Sequence, residues 1–393
     1  EEEEKEVRRR RQRRGIKTRR SMCTSILDFL SYFCTLEHEE VVMLKCLRLT
    51  LMLGTLPRTL FHENQDDHST MHASTKLVAT PGHVFVRFMN SSTTPNIIAK
   101  SMEILLDAMA TTPPPMREKE DENDDVAMVS LQCLSAALTH VRRNDFWHIV
   151  SKLCPRVLNS IGSVNTKRHA MSLTSCTSST TNTSTSTSTS TGNRLIDVRV
   201  LSLSVLLAML RQHKTVTMGT REVAFCLQYL TFWSDATLTL EEDMPAAKRL
   251  SALTYDALTS ILEYRPHALY SCASAYILVT RSMLRVAQRQ VSMSTKTHLM
   301  RYMARIFEEM SKETHRNALR HYCLYLLHES ITGLLQYGWP LKAREDFQHG
   351  LFCLLDVCTE YQSQMLFVGL NESGRSMLRK LRSQHQAQHM WNK

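Results

Sequence analysis

The segment Asn317-Ala-Leu-Arg-His-Tyr-Cys-Leu-Tyr-Leu-Leu327, extended by Ile331 and Leu334-Leu335 and followed across Gly338-Trp339-Pro340 by Gly350-Leu-Phe-Cys-Leu-Leu-Asp-Val-Cys358, decides the fold. Leu319, Tyr322, Cys323, Leu326, Leu327, Leu334 and Leu335 recur at steps of three and four. That sets them on one stripe of a helix rising about 1.5 Å per residue. Phe347, Leu351, Leu354, Leu355 and Cys358 repeat the spacing beyond the break at Trp339-Pro340. The pattern predicts a helical hairpin in which the two stripes cover one another.

Upstream, Arg194 to Gln212 with Thr220 to Ser234, and Pro245 to Tyr264 with Pro266 to Gln290, read as two further helix pairs. The second pair has proline near each start, where the missing N–H costs nothing. Lys296 to Met310 leads into the hairpin, and Ser373 to Gln386 closes it as a last amphipathic helix. Val126, Val129, Cys133, Leu134, Ala137 and Leu138 share their spacing with Leu250, Leu253, Ala257, Leu258, Ile261 and Leu262. Stripes returning at roughly 20 to 25 residues are what stacked helix pairs require. The expected fold class is therefore all-α, a HEAT- or armadillo-like array of antiparallel helix pairs (an α-solenoid).

The N-terminal part carries the same text more loosely. Ile26, Phe29, Leu30 and Phe33, then Val41 to Pro57, then Asn96 to Ala110 and Asp145 to Ile161 are expected helices, the last kinked at Pro155. Leu60 to Thr75 and the proline-rich, acidic Thr111 to Asp125 read as loops. His62, His68, His72 and His83 have no cysteine or carboxylate at metal-finger spacing and are taken as loop histidines. The Ser/Thr run inside Thr166 to Asn193 lacks the apolar side chains that offset the entropy of ordering, so it is expected to be disordered. The organisation that follows is a basic tail (1–20), an N-terminal helical segment (21–162), a Ser/Thr-rich linker (163–193) and a C-terminal helical domain (194–393).

Composition narrows the class. Eleven Gly and ten Pro among 393 residues argue against a sandwich or barrel. The net charge is +10, but residues 1–20 alone hold ten basic and five acidic side chains, half the excess. The remainder is only mildly basic, so charge does not by itself define a nucleic-acid groove. Arg8, Arg9, Arg10, Arg11, Arg13, Arg14, Lys17, Arg19 and Arg20 read either as a nuclear-targeting or RNA-contacting cluster or as an exposed end partly neutralised by Glu1 to Glu4. A second arginine set, Arg281, Arg285, Arg289, Arg301 and Arg305, reads either as a basic face or as ordinary solvated helix surface. Eleven cysteines without a C-x-x-C, mostly in apolar helical phase, suit a reducing compartment. The most apolar run, Val200 to Leu210, is far short of the roughly 20 residues a spanning helix needs, so no membrane contact is expected. The start at Glu1 suggests a C-terminal fragment of a longer protein.

Motifs for chemistry are missing. No phosphate-cradling glycine loop, H-E-x-x-H or nucleophile elbow occurs, and no cofactor, small-molecule substrate or enzyme activity is expected. Asp356 sits beside an apolar stripe with no His or carboxylate placed to act with it, and reads as a hydrogen-bonding partner of a helix end. Gly350 and Gly374 suit close helix approach or a turn. Tyr322, Tyr325, Trp339 and Tyr361 read as core aromatics or as base-stacking platforms.

The run His321-Tyr-Cys-Leu-Tyr-Leu-Leu327 with Ile331 and Leu334-Leu335, then Gly350-Leu-Phe352, Leu354-Leu-Asp-Val-Cys358, Leu366, Leu370, Gly374-Arg375, Leu378 and Leu381, resembles the C-terminal domain of the unhealthy-ribosome-biogenesis protein two family. Tyr322, Leu326, Leu327, Gly350, Phe352, Leu354, Leu355, Asp356, Cys358, Gly374 and Arg375 carry the resemblance as structural positions. The chain departs from the family pattern at His385, where an aromatic residue is expected, and in its Gln- and His-rich ending. The resemblance implies a nucleolar, non-catalytic scaffold of early 60S ribosomal subunit assembly that supports pre-rRNA processing. Its implied partners are pre-60S assembly factors, among them a larger helical-repeat companion and a DEAD-box RNA helicase, with pre-rRNA contacted directly or indirectly. The reading that stands beside it is a generic helical-repeat adaptor without an RNA link.

Overall fold

The computed structural model describes residues 81–91, 94–110, 120–177, 188–237, 245–290 and 292–391, which form fourteen helices and no strand. The basic cluster of residues 8–20, the helices expected over 21–57, and His62, His68 and His72 lie outside the described residues. The chain divides into two compact units at Thr183/Ser184.

In the first unit, α1 (Pro81–Ser91) packs on α3 (Glu120–His140), and α2 (Pro95–Ala110) packs on both α3 and α4 (Asn144–Thr177). His83 falls within α1 rather than in a loop: Pro81 can open a helix, and Val84, Phe85, Phe88 and Met89 give that helix a buried face. Likewise α3 starts at Glu120, inside the expected loop of 111–125. Phe85, Ile98, Met102, Leu105, Cys133, Leu134, Phe146, Val150 and Val157 are wholly buried between the four helices. The Trp147 indole donates to the Val141 carbonyl at 3.2 Å and pins the turn between α3 and α4. Arg156 of α4 reaches Asp107 of α2 at 2.8 Å. Beyond Ile161, α4 continues to Thr177, so the helix occupies part of the stretch expected to be disordered. Lys167, Arg168, Ala170, Met171 and Leu173 are good helix formers, and extending an existing helix costs far less than nucleating one.

The second unit holds α5 (Ser188–Arg211), α6 (Thr220–Thr237), α7 (Pro245–Tyr264), α8 (Pro266–Arg289), α9 (Met293–Ser311), α10 (Glu313–Leu319), α11 (Cys323–Gln336), α12 (Leu341–Val357), α13 (Glu360–Gly369) and α14 (Glu372–Trp391). Helices start at Pro245 and Pro266, as the proline positions predict. The most extensive contacts of the longer helices are α5 on α7, α7 on α9 and α9 on α12, and α6 on α8 and α8 on α11. Tyr276 of α8 and Phe307 of α9 are among the largest wholly buried side chains.

Two expectations for residues 317–358 change. The first stripe is not one helix. It breaks at Arg320 to Tyr322, where Tyr322 N–H bonds back to the Leu319 carbonyl at 2.9 Å, and α11 begins at Cys323. The Arg320 carbonyl freed by the break accepts from the Gln362 amide at 3.0 Å. Nor do the two stripes mainly cover each other. Leu326 and Leu327 are wholly buried on α11, which packs most extensively on α8, while α12 lays Phe347, Leu351 and Leu354 against α9. A stripe demands an apolar cover but does not specify which one, and here α8 covers α11 while α9 covers α12.

The second arginine set is largely spent on these joints. Arg281 and Arg285 of α8 both bond Glu329 of α11, at 2.7 and 2.8 Å, and Arg301 of α9 bonds Asp346 of α12 at 2.6 Å. Arg211 of α5 reaches Asp256 of α7 at 3.2 Å in the same sense. Arg289 and Arg305 stay exposed, so no continuous basic face forms from these five. Burial of Glu329 opposes its charge, but the hydrogen bonds from Arg285 and Arg281 prevail and hold the carboxyl below its ordinary range.

Candidate functional site

The residues that carry the family resemblance gather in α11 to α14, and most are structural. At Gly350 of α12, an added Cβ would lie 2.7 Å from the Ala304 Cα of α9, so only glycine lets the two backbones approach this closely. Phe352 and Leu354 are buried, Leu355 is half-buried, and Cys358 caps the helix with its N–H on the Leu354 and Leu355 carbonyls. Burial pushes the Cys358 thiol up to about 11, which keeps it protonated and unreactive at neutral pH. Tyr322 is half-buried at the break before α11.

Asp356 is exposed and accepts from His385 Nε2 at 3.0 Å, while its backbone carbonyl accepts from Arg316. His385 also lies against Phe352, ring centroids 5.3 Å apart. The histidine thus fills the place of the expected aromatic residue and adds a polar link between α12 and α14. Of the four candidate stacking aromatics, Trp339 is structural: its indole donates to the Gly333 carbonyl at 3.0 Å, and its ring sits 5.3 Å from Phe347. Tyr325 and Tyr361 are exposed.

The least ordinary element is α13. Thr359 and Gln362 form a reciprocal capping box, with bonds of 3.2 and 3.0 Å. At the other end Arg375 of α14 donates to the Phe367 and Val368 carbonyls at 2.9 and 3.2 Å, filling acceptors left free by the helix terminus. Gly374, one residue earlier, places its N–H 2.8 Å from the Asn371 side chain, which starts α14. Both ends of α13 are therefore fixed by polar contacts, and its buried face is only Gln362, Ser363 and Leu366. Its apolar row points outward: Tyr361, Met365 and Val368 are 69%, 53% and 72% exposed. Arg375 and Arg379 set their guanidinium groups 5.4 and 5.1 Å from the centroid of the half-buried Phe367 ring, next to Val368 in the chain. Sequence reasoning missed this site because residues at steps of four and three normally mark a buried face.

Other ionisable groups are tied to joints between helix pairs. Arg265, buried before α8, donates to the Val216 carbonyl at 2.9 Å. Lys296 donates to the Gly338 carbonyl at 2.9 Å, and burial lowers its pKa. Burial also lowers Arg199, to about 10. Among the described residues, no three His, Cys, Asp or Glu side chains are grouped to hold a metal ion, and no helix is long and apolar enough to cross a membrane.

The class defined by the described residues is all-helical, with several polar groups engaged between helices rather than grouped into a reactive centre. Residues 200–393, from within α5 to the end of the chain, match the model of the Urb2/Npa2 family. The family is one of ribosome biogenesis factors acting in the nucleus. No curated protein and no solved structure matches the chain.

Proposed function

We propose that the protein is a non-catalytic, nucleolar scaffold of early 60S subunit assembly that supports pre-rRNA processing. The observation that carries this reading is the family match over residues 200–393, which coincides with the stacked helix pairs of the second unit. The packing of the longer helices on one another supports a HEAT-like, solenoid architecture, whose long surfaces suit simultaneous contacts with several assembly factors. Arginine, lysine and carboxylate groups engaged at the joints serve cohesion rather than turnover. The proposed partners are pre-60S factors, including a larger helical-repeat companion and a DEAD-box RNA helicase, with pre-rRNA reached directly or through them. The cluster of Arg8 to Arg20 is proposed to assist nuclear entry or RNA contact.

Gradient sedimentation of tagged protein from nuclear extract, with the co-sedimenting RNA probed for large-subunit precursors, tests the proposal. Enrichment of those precursors in particles heavier than the free protein is the expected result. A protein that runs free of pre-rRNA, or is absent from nuclei, would instead be a helical-repeat adaptor without an RNA link.

A further inference from the structure

We propose that α13 is a docking site for an acidic amphipathic helix of a partner protein, seated on Tyr361, Met365 and Val368 and held at one side by Arg375 and Arg379. The proposal refines the scaffold reading by naming one of its surfaces, and it rests on that reading only for the kind of complex in which the partner is sought.

Three observations converge. The first is that α13 is turned inside out. A surface helix ordinarily buries its apolar stripe and shows its polar one. Here the capping residue Gln362 and the small Ser363 face inward with Leu366, while the row at steps of four and three faces solvent. The second is that this row is held ready. The capping box fixes one end and Arg375 the other, so little ordering remains to oppose association. The third is the charge beside it. From Glu372 to Arg382, α14 carries Arg375, Arg379, Lys380 and Arg382 against the single acid Glu372. Arg379 is exposed and lies over the ring of Phe367, the chain neighbour of Val368.

This combination selects the occupant. An exposed helical row, with no strand among the described residues, packs best against another helix, ridges into grooves, through apolar residues at three- and four-residue spacing. The flanking guanidinium groups favour aspartate or glutamate on the flank of that helix and disfavour a basic one. The contact area of one ten-residue helix suits a peptide-like anchor within a larger assembly rather than a stable dimer interface.

The test places a photo-crosslinking amino acid at Met365 of the full chain, expressed in its own cells, and sequences what is captured. The expected product is one protein segment with apolar residues at helical spacing and an excess of acidic residues. A synthetic peptide of that segment should bind the purified full chain. Val368→Asp and Arg379→Glu should each weaken that binding at least tenfold while leaving thermal unfolding unchanged, and added salt should weaken it for the wild type. Crosslinking to RNA, to a second copy of this chain, to scattered segments, or to nothing would overturn the site. So would peptide binding indifferent to both variants. If the protein still co-sediments with large-subunit precursors in those cases, the scaffold reading stands and only the surface is wrong.

Discussion

Helices α12 and α13 follow one another in the chain, separated by Cys358 and Thr359, and use similar residues in opposite ways. In α12 the apolar positions Phe347, Leu351 and Leu354 are buried against α9, and the helix is held by area removed from water. In α13 the apolar row Tyr361, Met365 and Val368 is exposed, only Leu366 is buried, and the helix is held chiefly by a capping box, the Gln362 to Arg320 bond and the Arg375 clamp. Periodicity identifies a face in both. What covers the face, and when, depends on the partners that the rest of the fold makes available.

The largest effect should separate the two helices outright. Leu354→Asp puts a carboxylate into the α9–α12 interface and should destabilise the second unit by about 4 kcal/mol or prevent its folding. Val368→Asp in α13 should change stability by no more than about 0.5 kcal/mol, because the side chain is 72% exposed. Urea unfolding of both variants measures the contrast. Equal losses would mean that the row on α13 is part of the core after all.

Next in size is Gly350→Ala. The substitution raises helix propensity by roughly 1 kcal/mol, yet its methyl would meet the α9 backbone at 2.7 Å. We expect a net loss of about 2 kcal/mol. Because the nearest atoms are the Ala304 Cα and carbonyl oxygen, Ala304→Gly should not restore stability. Restoration would show that the two helices touch through side chains rather than backbones.

Arg375→Ala should cost less, about 1 kcal/mol, through two lost hydrogen bonds at the end of α13 and the lost contact with Phe367. The loss should be local. Amide hydrogen exchange should quicken in α13 and stay unchanged in α12, whose C-terminus is closed by Cys358. Faster exchange in both helices would make them a single cooperative element and dissolve the contrast between them.

Much of the second unit was legible in the sequence because its signals are local. Pro245 and Pro266 mark helix starts, and Gly350 announces a close approach, since glycine within an apolar helix has few other uses. The family resemblance of residues 317–381 was legible for the same reason, as a set of side chains at fixed spacing. The break at Arg320 to Tyr322 was not, because no Gly or Pro marks it. It depends on Gln362, 42 residues on, accepting the role of the missing helical donor. The partner of each stripe was equally hidden, since apolar spacing marks a face without naming the helix that covers it. At His385 the sequence showed a departure from the family pattern. The structure supplies its meaning through Phe352 and Asp356 together.

The smallest effect concerns the converse mismatch, a titratable side chain on a buried face. His315 of α10 is 5% exposed and its Nδ1 has no hydrogen-bond partner, whereas α13 leaves Tyr361 in solvent. Burial lowers the His315 pKa from its ordinary 6.5, opposed by the attraction of Glu309 and assisted by the repulsion of Lys312. The folded state therefore favours the neutral imidazole more than the unfolded chain does. Its contribution to stability is intact above pH 6.5 and declines as the pH falls through the lowered folded value, where the unfolded chain binds the proton more readily. Unfolding free energies between pH 7.5 and 5 should fall less steeply for His315→Gln than for the wild type. They should fall more steeply for Glu309→Gln, which removes the charge that favours protonation. Identical slopes in all three would show that the α10 face admits water freely, and that α10, like α13, is held by its polar ends rather than by its burial.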